Sequence, residues 1–248
     1  MYKTAIITGG NRGIGYFISK AFIDAGYFVV IGARTDENIE NTLGKNVIFI
    51  PMDVRDEDGH NELINTVIKQ NGTVDVYVNN AGYSEWRPIS EIDEEFLTDI
   101  ISTNLMGAFW GCKAASRVMK DGASIINISS IAGKRGSVNN SAYCASKFGM
   151  NGLTQSLSKE LGPRGIRVNA LCPVLISTNG LLEALNSPYS PAKSDPDKFI
   201  SEFCKANSAL NRMPTGSEVG AMAVFLASEN ASAITGQCIN VDCGVFPQ

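Results

Sequence analysis

Thr8-Gly9-Gly10-Asn11-Arg12-Gly13-Ile14-Gly15 is the stretch on which the fold turns. It follows Thr4-Ala5-Ile6-Ile7, a short apolar run of the kind that forms a buried parallel strand. Beyond it Ile14, Phe17, Ile18, Ala21, Phe22 and Ala25 recur at helical spacing, and Gly26 stands where a C-terminal cap belongs. Strand, glycine turn and helix in this order aim helix N-terminal amides at a pyrophosphate. Glycines let the backbone approach phosphates that a Cβ would hold off. The spacing Gly-x-x-x-Gly-x-Gly differs from the commoner dinucleotide fingerprint, so the turn alone fits any α/β protein equally well.

Downstream, Phe28–Ile31, Val47–Ile50, Val74–Val78, Ser124–Ile128, Ile166–Leu171 and Cys238–Val241 read as strands, which with the first makes seven. Helical patterns run over Glu57–Gln70, Asp93–Met119, Ala142–Leu161 and Glu218–Ala227. The alternation predicts an α/β fold of Rossmann type, a doubly wound, mostly parallel seven-stranded sheet with helices on both faces. Ligands of such sheets bind beyond the carboxyl ends of the strands, where Gly9, Asp53, Asn79, Ser130 and Pro173 fall. No composition break divides the chain, so residues 1–248 read as a single domain. The one irregular stretch, about 179–208, contains Pro188, Pro191 and Pro196 and reads as a substrate lid or a decorative loop.

A net charge of −4 with scattered basic residues argues against a nucleic-acid partner, which needs a basic stripe. No apolar run reaches the length of a membrane span, and Met1-Tyr2-Lys3 enters the first strand at once, so a cytoplasmic protein without a signal peptide is expected. Cysteines 112, 144, 172, 204, 238 and 243 are widely spread, and His60 is the sole imidazole. Reduced, mostly buried thiols and no metal site are the expectation.

Tyr143-Cys144-Ala145-Ser146-Lys147 puts a phenol and an ammonium four residues apart, on one face of a helix. A phenol with a pKa near 10 is a poor base at neutral pH, and a neighbouring lysine charge favours the phenolate. Ser130 lies thirteen residues upstream, at the end of an apolar run.

With these residues the chain resembles the short-chain dehydrogenase/reductase family over essentially its whole length. The resemblance rests on the glycine turn, Asp53-Val54, Asn79-Asn80-Ala81-Gly82, Asn104, Ser130 and Tyr143-x-x-x-Lys147, and later on Asn211-Arg212-Met213 and Asn240-Val241-Asp242. It implies an oxidoreductase that moves a hydride between a nicotinamide cofactor and a carbonyl or alcohol. Tyr143 is then the general acid or base, Lys147 lowers its pKa and holds the nicotinamide ribose, Ser130 binds the substrate oxygen, and Asn104 keeps a water in a proton relay. Asn104 also reads as a buried amide tying helix to strand, and Ser129 as the more natural turn-capping serine. For the cofactor, the resemblance implies contacts from Gly9, Asn11, Arg12, Gly13, Ile14 and Gly15, from Asp53 to the adenine amine, and from the backbone of Val54. Asn80-Ala81-Gly82 would pass the adenosine ribose, and Pro173, Ile176 and Thr178 would approach the carboxamide and pyrophosphate.

At the end of the second strand, Ala33-Arg34 replaces the carboxylate that would bind the ribose diol of NAD. Together with Arg12 it favours NADP, with NAD as the alternative through Asp36. Tyr83, Ser84, Glu85, Trp86, Arg135, Asn139, Asn140, Leu181 and Tyr189 are expected to line a pocket for a small polar carbonyl or alcohol. The resemblance also implies a homotetramer or dimer packed through the long helices around Asn104 and Ala142–Leu161, and apolar residues on more than one face of these helices, Phe109 and Phe148 among them, fit that. One departure from the family pattern is Val174, where such proteins carry glycine after Pro173. A branched side chain there denies a positive φ, so either the loop takes another path or the pocket narrows, and the Ile176 and Thr178 contacts come into question. A catalytically silent dinucleotide-binding sensor is the alternative function; a serine hydrolase lacks its Gly-x-Ser-x-Gly and a suitable histidine.

Overall fold

Ile6 and Ile7 point to opposite faces of the first strand, as the two-residue period requires, and both faces are interior. Ile7 packs with Ile18, Phe22, Val29, Ile31, Val219 and Leu226. Ile6 packs with Val30, Leu63, Val67, Tyr77, Ala115 and Val168. A sheet buried on both sides is the reason its strands read as unbroken apolar runs.

The protein is described from a computed structural model covering residues 2–193 and 195–247. The elements in order are β1 (Thr4–Thr8), α1 (Gly13–Asp24), β2 (Phe28–Ala33), α2 (Ile39–Leu43), β3 (Val47–Pro51), α3 (Glu57–Asn71), β4 (Val76–Asn79), α4 (Glu94–Ile101), α5 (Gly107–Val118), β5 (Ser124–Ile128), α6 (Ser141–Leu161), β6 (Arg167–Pro173), α7 (Asn179–Leu185), α8 (Pro196–Asn207), α9 (Gly216–Ala227) and β7 (Cys238–Val241). The seven strands pair in the order β3-β2-β1-β4-β5-β6-β7, and every pairing is parallel. Register sets Ile7 opposite both Ile31 of β2 and Val78 of β4. Helices α1 and α9 pack together on one face, α3 and α5 on the other. Among the described residues no helix is long and apolar enough to cross a membrane.

Two stretches differ from the sequence reading. The supposedly irregular segment 179–208 carries α7 and α8. Pro196 sits in the first turn of α8, where no amide bond is lost, and Asp195 caps that turn by accepting the Lys198 N–H at 3.0 Å. The long helix expected over Asp93–Met119 is interrupted by a π turn at Ser102–Met106, in which the Gly107 N–H reaches back five residues to the Ser102 carbonyl.

Candidate active site

The glycine turn joins β1 to α1. Gly9 and Gly13 hold φ of 61° and 56°, and a Cβ on Gly15 would lie 2.1 Å from the Gly9 carbonyl oxygen, so other residues would distort the turn. Arg12 occupies the N-cap of α1 but gives no side-chain cap, and no acidic residue stands in the first turn. The helix thus opens with amides that no side chain satisfies, which is what a bound pyrophosphate requires. The methyl of Thr178 lies 4.0 Å from the position a Gly13 Cβ would take, which brings the start of α7 against the turn. Asn11 donates to the Thr35 carbonyl at 2.8 Å and ties the turn to the loop after β2, where Arg34, like Arg12, is exposed. Ile14 sends its side chain into the core, leaving only its backbone at the turn.

From β4, the Asn80 amide donates to the carbonyls of Thr8 and Gly9 at 2.9 and 3.0 Å. The Thr8 hydroxyl accepts the N–H groups of Asn80 and Ala81. Asn80 is therefore a staple holding the glycine turn, and the stretch facing outward is Ala81-Gly82.

Asp53 is already engaged. Arg55 donates to both its oxygens through Nε (3.1 and 3.0 Å) and again through Nη2 at 2.6 Å, and the Arg55 N–H closes an Asx turn at 3.0 Å. This bonding to Arg55 holds the Asp53 carboxyl below its usual range. Arg55 also donates to Asp99 at 2.7 Å, and Asp99 accepts the Tyr83 hydroxyl at 2.7 Å. The Val54 carbonyl lies 2.9 Å from Nε2 of His60, whose other nitrogen meets the Tyr77 hydroxyl at 2.8 Å. Burial keeps His60 neutral by lowering its pKa, and the imidazole belongs to the core.

Ser130 follows β5, and Tyr143 and Lys147 lie in the first two turns of α6. The Ser130 hydroxyl accepts the Ala132 N–H at 3.1 Å and lies near enough to the Tyr143 phenol to favour its ionised form. Ser130 itself, then, is the turn-capping serine; Ser129 instead donates to the Lys147 carbonyl at 3.3 Å. Burial pushes the Tyr143 phenol up to about 12, and the nearby Ser130 works against that rise. Lys147 is buried, donates to the Ile128 carbonyl at 2.8 Å and stands 5.7 Å from the centre of the Tyr143 ring. Its own burial brings it down to about 8. Desolvation of both groups outweighs the expected help from the ammonium to the phenolate.

Asn104 lies fully buried within the π turn. Its side chain accepts the Tyr83 N–H at 2.9 Å and donates to the Tyr83 carbonyl at 2.8 Å and to Ser146 Oγ at 3.3 Å. The side chain of Asn104 thus acts as a buried amide that ties the π turn to Tyr83 and α6.

Pro173 closes β6, and Val174 is buried against Ile131 and Val245. Val174 is not left-handed; Leu175, one residue later, takes φ 31°. The branched side chain at Val174 thus sits on ordinary backbone, and the left-handed position of this loop is Leu175. Ile176 buries its side chain in the core beside Ile7, and Thr178 caps α7 by accepting the Leu181 N–H at 3.2 Å. Trp86, expected in the pocket, instead packs under α7 and α8 with Leu185 and Ala192. Thr8, Arg55 and Ser146 were missed as supports of the site; a threonine ending the first strand and an arginine two residues after Asp53 were the available signals.

The arrangement sets an acid/base pair beside a phosphate-binding turn at the carboxyl edge of a parallel sheet. The family model described as Enoyl-(Acyl carrier protein) reductase matches residues 9–246. A 3-oxoacyl-(acyl-carrier-protein) reductase from Chlamydia trachomatis is 37% identical over 253 residues, covering 98% of this chain and 97% of that protein. An L-2,3-butanediol dehydrogenase from Corynebacterium glutamicum is 34% identical and covers 99% of each. Among solved structures, a variant of actinorhodin polyketide ketoreductase with NADPH superposes with a TM-score of 0.89 at 31% identity, over 98% of this chain and 97% of that one. The aldohexose dehydrogenase of Thermoplasma acidophilum gives 0.89 at 32% identity, over 100% and 98%. Fold, site and relatives agree that the chain belongs to the short-chain dehydrogenase/reductase family and is a nicotinamide-dependent oxidoreductase acting on CH–OH groups.

Proposed function

We propose that the protein interconverts a small polar carbonyl compound and its alcohol, using NADP in preference to NAD. The observation that carries this is Ser130 and Tyr143 brought together beside buried Lys147, next to a helix whose first amides are free for phosphate. The bound cofactor supplies or takes the hydride. Ser130 orients the substrate oxygen, and Tyr143, protonated over the whole neutral range, gives that oxygen its proton during reduction. Lys147 donates to the nicotinamide ribose, and the backbone at Asn104 holds the water that restores the proton. Gly9, Asn11, Gly13, Ile14 and Gly15 cradle the pyrophosphate with Thr178. Asp53, Val54, Ala81 and Gly82 border the adenosine, and Pro173 and the Ile176 backbone border the nicotinamide.

Arg12 and Arg34 are the cations for a 2′-phosphate. Asp36, the residue that would favour NAD, is occupied in accepting the Ile39 N–H at 3.2 Å. A carrier-bound thioester fits less well than a free carbonyl, because residues 85–95 bring five carboxylates and one arginine to this side of the molecule. Segment 179–208 acts as the lid of a single domain, and the protein works in the cytoplasm as a homotetramer. Steady-state rates with NADPH and NADH on a panel of ketones, sugars and alcohols test the reading. Arg34→Ala should lower kcat/KM for NADPH about ten- to hundredfold with little change for NADH, as loss of a charge-assisted bond implies. Equal efficiency with both cofactors before mutation rejects the NADP preference.

A further inference from the structure

Arginines that the fold withdraws from water come with partners, except one. Arg87, half-buried, meets Glu85 at 3.0 Å and Asp93 at 3.6 Å, and buried Arg167 donates to the carbonyls of Ser228 and Ile234. Arg135 is also half-buried, yet among the described residues its side chain makes no ion pair and no hydrogen bond. Its one marked contact is the ring of Phe246, whose centre lies 5.6 Å from the guanidinium carbon. A guanidinium partly stripped of water with five unused donors is costly unless something supplies acceptors.

Its place in the fold says what that something is. Arg135 stands on the loop between Ser130 and Tyr143. Its N–H bonds the carbonyl of Ile131, the residue after Ser130, at 3.1 Å, and its own carbonyl faces the thiol of Cys144, the residue after Tyr143. Ile131 and Val245 pack with Val174, so the wall beside the arginine is the one that follows β6. Farther along, Asn139 holds the loop to the Tyr189 carbonyl at 3.1 Å and to the Arg87 N–H at 2.6 Å. The loop is thus fastened on both sides, and the arginine is not left to swing freely. The same loop also keeps the side-chain oxygen of buried Asn140 without a partner. Unused donors on a pinned loop that joins Ser130 to Tyr143 along the chain call for a ligand that supplies acceptors.

Resting on the carbonyl-reductase reading above, we propose that Arg135 is a specificity-determining residue that binds a carboxylate carried by the substrate, so that the enzyme acts on oxo acids. The planar fork of a guanidinium matches a carboxylate in two parallel bonds, and the Phe246 ring backs it from one face.

Paired substrates test this: pyruvate, acetoacetate and levulinate against their methyl esters, with NADPH. At least one acid should exceed its ester by about tenfold or more in kcat/KM. Arg135→Gln should lower the rate on that acid about ten- to hundredfold, chiefly through KM, and collapse the acid-to-ester ratio, while Arg135→Lys recovers part of it. The ester rate of each variant reports that the enzyme is folded. Acids and esters reduced equally by the unmutated protein, or a ratio that survives Arg135→Gln, overturns the assignment and leaves the reductase reading standing. A preference for dihydroxyacetone phosphate over every acid replaces carboxylate by phosphate and also overturns it. No reduction of any carbonyl with either cofactor removes both readings.

Discussion

Tyr143→Phe removes a single oxygen from a packed ring, which makes it the cleanest probe of the chemistry. Turnover should fall by about 10²- to 10⁴-fold while NADPH binding, followed by fluorescence, is kept; a loss under about tenfold means that another group delivers the proton. Lys147 gives the pH dependence. Burial holds it near 8, below a free lysine, so its ammonium is lost as pH rises through about 8. The rate of reduction should decline above that pH, and Lys147→Met should be slow and flat across the same range in a pH–rate profile. The spacing of Ser130, Tyr143 and Lys147 made this group legible in the sequence. Which of two adjacent serines caps the turn was not, because that depends on the extended backbone Ser130 adopts before residues 131–133. Nor was the occupation of Asp53, which follows from where the Arg55 side chain folds.

At the scale of elements, the loop after β6 carries a departure from the family's pattern, Val174 after Pro173. Val174 packs with Ile131 and Val245, and Leu175 beside it is left-handed. Val174→Ala should cost about 1–3 kcal/mol in urea unfolding through lost burial, and it should admit bulkier carbonyls. An unchanged substrate profile would show that this wall does not shape the pocket. Helices α7 and α8 escaped the sequence reading because prolines look like breakers wherever they stand, although one in a first turn is an ordinary start. The π turn escaped for another reason. An added residue in a helix leaves the apolar pattern on either side almost intact, and only the hydrogen-bond ladder reveals it.

For the whole molecule, the seven strands were legible because burial on both faces leaves each as a continuous apolar run, and only their ends moved. How the outer surface is used was less so, since an exposed phenylalanine looks the same in a sequence as a buried one. Met106, Phe109 and Phe148 are 43%, 49% and 47% exposed around α5 and α6, which supports burial by further subunits. Light scattering should find a tetramer, or at least a dimer, and Phe109→Asp should shift it to smaller species; a monomer before mutation removes the proposal. β1, the first of these seven strands to be made, lies near the middle of the sheet, between β2 and β4. Synthesis on the ribosome therefore builds from that strand outwards. Once Asn79 has emerged, β3, β2, β1 and β4 are all present to pair, and β5, β6 and β7 then join in turn at a single growing edge. The glycine turn and the strands that flank it are therefore complete in sequence before Tyr143 has been translated.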